Sequence, residues 1–161
     1  MHSLPTPLDR EYLRTPRPGR MLRRMSLTLT FDEYRALVEA APVMIWRAGL
    51  DAKCNYFNET WLAFTGRSQE QEVGDGWTEG VHPDDLDRCV ACYLDHFHRR
   101  RQFEMEYRLR RHDGVYRWIF DRGVPFEVHG EFAGFIGSCV DVQERKEAEA
   151  NRSTTLREER V

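Results

Sequence analysis

The sequence predicts an α+β fold, in which a five-stranded antiparallel sheet has short helices on one face, an N-terminal helix and a C-terminal exit helix. Three observations predict this class. Residues 103–109 alternate strictly between apolar and polar side chains, which is typical of a half-buried strand. Asp113-Gly114 follows, and Asp-Gly is a strong signal for a hairpin turn. Apolar side chains in residues 86–97 recur at helical spacing, which predicts one long amphipathic helix.

The first helix and the first hairpin come before these elements. Thr30 and Glu33 have the spacing of a capping box, so they predict a helix start, and Pro42 ends that helix. Two short apolar segments, 43–48 and 53–57, are separated by a turn and are predicted to pair as strands.

Short helical segments fill the middle of the chain. Asn58 is predicted to cap a helix over 59–65, and Gly66 ends it. Residues 67–82 are interrupted by glycines and are predicted to be irregular. Pro83 then suits the first turn of the long helix.

Two strands and the exit helix complete the predicted fold. Residues 115–120 are expected to pair with 103–109, and residues 132–142 form the last strand. That strand runs with almost no pause into a highly charged helical segment. The segment predicts either a weak parallel coiled coil or a frayed single helix.

Length and charge divide the chain into three parts. Its 161 residues suit one domain with one hydrophobic core. A basic arm rich in Pro and Arg covers 1–29 and is predicted to be disordered, because this composition cannot build a core. The folded domain covers 30–142, and the charged C-terminal helix covers 143–161. Residues 26–161 carry a net charge of −7, which argues against nucleic acid as the main partner.

Hydropathy and cysteine usage indicate the compartment. No apolar run approaches the roughly 20 residues that span a bilayer, and the N-terminus lacks the apolar core of a secretory signal. We therefore predict a cytoplasmic location and no membrane partner. The cysteines are interpreted as reduced thiols that pack as small apolar groups, and they are Cys54, Cys89, Cys92 and Cys139.

Motifs that carry catalysis are missing from the sequence. No Ser-His-Asp pattern, Walker loop or HExxH is present, so we predict that the chain is not an enzyme. His82 precedes Pro83 and is interpreted as holding the loop before the long helix, because one His without partners is not a metal site. His96 and His98 are interpreted as part of a solvated, cationic helix end.

The order and spacing of these segments resemble a PAS domain, of the PAS/PAC sensor subclass common in bacterial sensor histidine kinases. The likeness covers about residues 31–147. The motifs that carry it are Asn58 after the second strand, WTEGVHPDD at 77–85, Glu106-Tyr107-Arg108, Asp113-Gly114, Arg117-Trp118 and the exit strand from Gly134 to Lys146.

Departures from the family pattern concern the exit and the cofactor. The exit motif usually reads Asp-Ile-Thr, whereas here Asp141 is kept and Gln143 replaces the Thr. Asp141 and Gln143 are the expected signal exit. The Cys motif of the flavin-binding branch is absent, and the stretch 88–90 lacks the His of the haem-binding branch. The sequence therefore has no motif that supports haem or flavin binding, and it does not identify a cofactor.

The resemblance implies a space between the sheet and the long helix where PAS domains often bind a small molecule. The side chains expected there are large and mostly apolar, so they could line a pocket or simply fill it. They are Met44, Trp46, Cys92, Met105, Leu109, Phe135 and Cys139.

The opposite face of the sheet is also expected to be apolar, because the strand 115–120 has apolar side chains on both faces. Such a face needs a cover, from the helix 31–40 or from a partner. We predict a homodimer that uses this surface, with Phe31, Tyr34, Leu37, Val38 and Trp118 as its residues.

These features favour a non-catalytic sensory or regulatory module of bacterial signal transduction. It would bind a small ligand or a partner and relay the event through the C-terminal helix to a protein such as a histidine kinase of a two-component system, or a cyclase. The alternatives are a ligand-free scaffold for protein interaction and dimerisation, and a haem or flavin redox sensor.

Overall fold

The structure is a computed structural model that describes residues 28–158. Five strands form one antiparallel sheet in the order β2-β1-β5-β4-β3. The strands are β1 Met44–Ala48, β2 Cys54–Phe57, β3 Phe103–Arg110, β4 Tyr116–Val128 and β5 Glu131–Asp141. The helices are α1 Phe31–Ala40, α2 Glu59–Thr65, α3 Gln69–Glu72, α4 Pro83–Arg99 and α5 Gln143–Glu158, with a 3₁₀ helix at Gly76–Gly80.

This architecture confirms the predicted fold class. The bounds of some elements differ from the predicted ones where the sequence pattern is weak. β4 continues to Val128, eight residues past its predicted end, because β5 pairs with it up to Val128 despite Pro125 and a bulge at Phe126/Glu127. The segment 67–82, predicted as irregular, contains α3 and the 3₁₀ helix. The predicted arm 1–29 lies outside the described residues except for 28 and 29, and so do residues 159–161 of the predicted exit helix.

Asn58 joins the N-terminal elements to the sheet. Its side chain is fully buried; Oδ1 accepts from the backbone N–H of Ile45 (2.8 Å) and of Trp61 (3.1 Å). Its Nδ2 donates to the carbonyls of Val38 (2.9 Å) and Val43 (3.0 Å). One amide therefore caps α2 and ties it to β1 and to the end of α1.

The hydrophobic core lies between the inner face of the sheet and α4. From α4, the side chains of Cys89, Tyr93 and Phe97 enter it, one turn apart on the buried face of the helix. Strand β3 presents alternate residues to it, as predicted for a half-buried strand. The helix therefore closes one face of the sheet, and α1, which has no buried residue, leaves most of the other face open.

Candidate functional site

The predicted pocket residues do converge in the core, with one exception. Six of them are at most 8% exposed: Met44, Trp46, Met105, Leu109, Phe135 and Cys139. Cys92 is half-buried on α4, where its sulfur lies 3.8 Å from Nδ1 of His96. The structure thus brings the six together between sheet and helix and leaves Cys92 at the margin.

The Trp46 indole occupies the space that glycine leaves at the centre of this face. Trp46 and Gly137 are paired across β1 and β5, and a Cβ on Gly137 would lie 2.0 Å from the indole ring. The ring packs edge-on against Tyr93, with centroids 5.7 Å apart, and is stacked with Phe103 at 6.2 Å. In the described conformation these aromatic rings fill the inner face of the sheet.

Asp121 is the unexpected member of the core. This residue of β4 is 3% exposed, and its two oxygens accept from Trp46 Nε1 and from the Tyr107 hydroxyl, each at 3.0 Å. Burial raises the pKa of this carboxyl from 3.8 to about 6, although these hydrogen bonds favour the ionised form. The sequence pattern alone did not identify Asp121 as a core residue. The available signal was register, since Asp121 shares the inward face of β4 with Ile119.

The buried thiols have low reactivity. Cys54, Cys89 and Cys139 lie in the core, and burial raises the pKa of each thiol. Thiolate is the reactive form of cysteine, so these side chains behave as small apolar groups.

An ion pair fixes the start of α4 to the edge strand β3. The guanidinium of Arg108 donates to both carboxylate oxygens of Asp85 at 2.9 Å, and the Arg108 backbone N–H adds a third bond at 2.9 Å. The Arg108 hydrogen bonds lower the pKa of Asp85 to about 2, against the opposing effect of burial. His82 helps to form the same junction, because its Nδ1 accepts from the backbone N–H of Asp84 (3.1 Å) and its own backbone N–H donates to the Arg108 carbonyl (2.9 Å).

The predicted signal exit is a compact set of contacts between β4 and the first turn of α5. Asp141 Oδ2 accepts from Arg117 Nε at 2.6 Å, and Oδ1 accepts from the backbone N–H of Gln143 at 3.0 Å. Gln143 Oε1 in turn accepts from the backbone N–H of Trp118 at 3.0 Å. The longer Gln side chain therefore links the helix entrance to β4, at the position where the family pattern has a Thr hydroxyl.

Arg145 and Lys146 of α5 hold the helix against the outer face of the sheet. Glu106 of β3 pairs with Arg145 at 2.6 Å and with Lys146 at 2.9 Å, and hydrogen bonds to these two cations lower its pKa. The Lys146 ammonium also lies 4.5 Å from the centre of the Trp118 ring, and the Arg108 guanidinium lies 5.2 Å from it. Trp118 is thus partly covered by its own chain.

The other predicted dimer residues lie on α1, on two sides of the helix. Phe31, Tyr34 and Val38 line a groove of about 620 Å³ between α1 and the outer face of the sheet, where Ile45 and Ile136 form the other wall. Leu37 borders a separate depression. Phe31 is 79% exposed and Leu37 is 60% exposed, so α1 leaves an apolar surface open to solvent.

Residues 28–158 contain no group of three or more His, Cys, Asp or Glu side chains placed to hold a metal ion. Within the same range, every helix is too short or too polar to cross a bilayer.

Comparison with known proteins supports the architecture. The family model described as "PAS fold" matches residues 55–139, which is more than half of the chain. The chain belongs to the PAS family. A crystal structure of a sensory box histidine kinase/response regulator from Burkholderia thailandensis matches 79% of the chain and 97% of that structure, with 29% identity and a TM-score of 0.59.

The sequence relatives of this PAS domain are much longer than the chain. It is 41% identical over 120 residues to the uncharacterized protein y4lL of Sinorhizobium fredii, covering 74% of this chain and 14% of the relative. It is 30% identical over 122 residues to the peroxide stress-activated histidine kinase mak3 of Schizosaccharomyces pombe, covering 73% of this chain and 5% of the kinase. The chain therefore spans only a small part of these relatives.

Proposed function

We propose that this PAS domain is a non-catalytic sensory module that relays a signal through α5. The observation that carries the proposal is the junction at Asp141: β5 ends there, α5 begins two residues later, and both are tied to β4. A change of twist or register in the sheet must therefore alter the contacts that hold the first turn of the helix. A ligand or partner shifts this equilibrium only by as much as it prefers one of the two arrangements.

The partner in this proposal is a signalling enzyme such as a histidine kinase of a two-component system, or a cyclase. The support is that two similar proteins carry names of histidine kinases, from Schizosaccharomyces pombe and Burkholderia thailandensis. The chain covers only 5% of the Schizosaccharomyces pombe kinase. The catalytic activity of such a partner is therefore assigned to sequence outside this PAS domain.

Asp141→Ala tests the relay. The substitution removes the Arg117 ion pair and the bond to the Gln143 N–H, a loss comparable to that of a helix cap, about 1 kcal/mol. We expect amide hydrogen exchange over residues 143–150 to become about fivefold faster, with the core unchanged. Asp95→Ala, which breaks an exposed ion pair with Arg99 on α4, is the matched control. Equal exchange rates over 143–150 in wild type and Asp141→Ala would refute the relay.

A second candidate is a ligand-free interaction scaffold, and the packing of Trp46 against Gly137 favours it, because the indole already occupies the middle of the inner face. Mass spectrometry of small molecules extracted from the purified protein separates the two. A stoichiometric compound supports a ligand sensor, and its absence supports the scaffold. An absorption spectrum of the same sample tests the haem or flavin alternative, since a Soret or flavin band would establish it.

A further inference from the structure

The polar cluster around Asp121 lies in the interior of the PAS core, where a charge is costly unless it is paired. The carboxylate is 3% exposed and has neutral hydrogen-bond donors in place of a cation. Trp46 donates from β1 and Tyr107 from β3, while Cys139 is paired with Asp121 across β4 and β5. Four strands of the sheet therefore meet at one ionisable group.

The titratable side chains that surround Asp121 are all acids that stay neutral near pH 6. They are Tyr107 of β3, Cys139 of β5, Cys89, Cys92 and Tyr93 of α4, and Cys54 of β2. Strand β1 contributes Trp46 and no inward titratable group, because Arg47 is exposed. Burial raises the pKa of each of these acids, so Asp121 is the group in this cluster that changes charge within the physiological range.

Resting on the function proposed above, we propose that Asp121 is a proton-binding site that couples the pH around the protein to the exit of the sheet at Asp141. The site takes a single hydrogen ion as its ligand. Its geometry defines what protonation does to the hydrogen bonds, because one neighbour can reverse its bond and the other cannot.

Trp46 Nε1–H only donates, so it remains bonded to Oδ1, which stays an acceptor in the neutral carboxyl. The added proton resides on Oδ2, which then donates to the Tyr107 hydroxyl oxygen. The Tyr107 proton has to turn away from Oδ2, and Cys139 Sγ lies 3.8 Å from the Tyr107 hydroxyl oxygen. One proton is taken up and one O–H rotates. The bond between β3 and β4 is kept with its direction reversed, and the freed Tyr107 O–H can form an additional bond from β3 to β5.

The reversed bond lies close to the signal exit. Cys139 is two residues before Asp141 on β5, and Asp121 is two residues after Ile119, whose register partner is Asp141. The Asp121–Cys139 pair is thus separated from the Ile119–Asp141 pair by two residues along each strand. A change in the hydrogen bonds at the first pair therefore reaches the contacts that Asp141 makes with Arg117 and Gln143.

The direction of the pH effect follows from the raised pKa. A folded-state pKa of about 6 against 3.8 means that the folded protein binds the proton more tightly than the unfolded chain does. The neutral form of Asp121 therefore contributes stability below pH 4, and this contribution is lost as the pH rises through about 6. The charged form, present above this range, is the less stable one.

The test is an NMR titration of the full chain, which follows the Asp121 carboxyl carbon together with the backbone amides of Val142 and Gln143. We expect the carboxyl to titrate with a midpoint near 6 and both amides to show a transition with the same midpoint. Histidines titrate in a similar range, so the readout for the amides is the difference from Asp121→Asn, which cannot ionise and should lack this transition. Asp87→Asn, at an exposed position on α4, is the matched control.

Tyr107→Phe separates proton binding from coupling and does not depend on the Asn variant being folded. Loss of the hydroxyl removes a bond that favours the ionised form, so the Asp121 midpoint should move above its wild-type value while the amide transition at Val142 and Gln143 disappears.

A carboxyl midpoint below about 5 in the wild type overturns the proton site. An amide transition that persists unchanged in Asp121→Asn or Tyr107→Phe overturns the coupling. Neither result bears on the relay itself, which the exchange rates of Asp141→Ala test separately.

Discussion

Single residues decide whether the centre of this PAS domain is open or closed. Trp46 fills the inner face because Gly137, its cross-strand partner, has no side chain, and the indole N–H is satisfied by the buried carboxylate of Asp121. The aromatic ring and the acid depend on each other, since an unpaired indole N–H or carboxylate in this position would be costly. A ligand that entered the core would have to displace the indole and replace its bond to Asp121.

Gly137→Ala tests this packing. The added Cβ would lie 2.0 Å from the Trp46 ring, so the indole or strand β5 must shift, which we expect to reduce the free energy of unfolding by about 1–3 kcal/mol. Urea denaturation followed by circular dichroism measures the loss. Ser138→Ala, at the adjacent outward position of β5, is the control and should change the free energy by less than about 0.5 kcal/mol. Equal stability of the two variants would show that the core has room at Gly137.

Individual residues also show what could be predicted from the sequence. Phe103 to Leu109 and the Thr30–Glu33 capping box identified their elements, because local periodicity and capping chemistry act over a few neighbouring residues. Asp121 was missed because its bonds to Trp46 and Tyr107 span 75 and 14 positions, and an acidic residue in a strand is normally expected outside. Long-range partners of this kind become visible only when the register of the sheet is known.

At the scale of elements, α5 is held by its first turn alone. Gln143, Arg145 and Lys146 contact β3 and β4, whereas residues 147–158 are exposed throughout. Exposed or half-exposed ion pairs contribute at most about 1 kcal/mol each and are weakened by salt. The helix is therefore only weakly docked on the sheet, and the proposed relay requires a contact that can open. The coiled coil in the distal part of α5 stays a prediction.

Glu106→Gln should loosen α5 without touching the core. The neutral amide loses the attraction to both Arg145 and Lys146, so we expect hydrogen exchange over 145–150 to accelerate two- to fivefold at low salt. The difference should shrink in 1 M NaCl, where screening weakens the wild-type pairs. Glu104→Gln, an exposed neighbour on β3, is the control. Identical exchange in the two variants would mean that the ion pairs do not hold the helix.

At the scale of the whole molecule, α4 covers the inner face of the sheet, whereas α1 and the first turn of α5 cover only part of the outer face. Ile136 and Val140 of β5 are 38% and 39% exposed on the outer face, and Phe31 and Tyr34 of α1 are exposed beside it. Apolar groups that cluster on a surface in this way are typical of an interface. The predicted homodimer would bury them, with the groove beside α1 contributing its edge.

Ile136→Glu tests the homodimer. A carboxylate at the centre of a self-complementary apolar interface appears twice by symmetry, so we expect a dimer to dissociate to monomers at micromolar concentration. Analytical ultracentrifugation of the full chain measures the change. Leu50→Glu, in the exposed turn between β1 and β2, is the control and should stay dimeric. A wild type that is monomeric, or an Ile136→Glu variant that remains dimeric, would contradict this surface.

The cover that Lys146 forms over Trp118 gives the molecule a built-in optical reporter. Of its four tryptophans, Trp46, Trp61 and Trp77 are buried, so a water-soluble quencher such as acrylamide reaches Trp118 preferentially. Fluorescence quenching of the unlabelled protein therefore follows the lifting of α5 directly, and Trp118→Phe supplies the background to subtract.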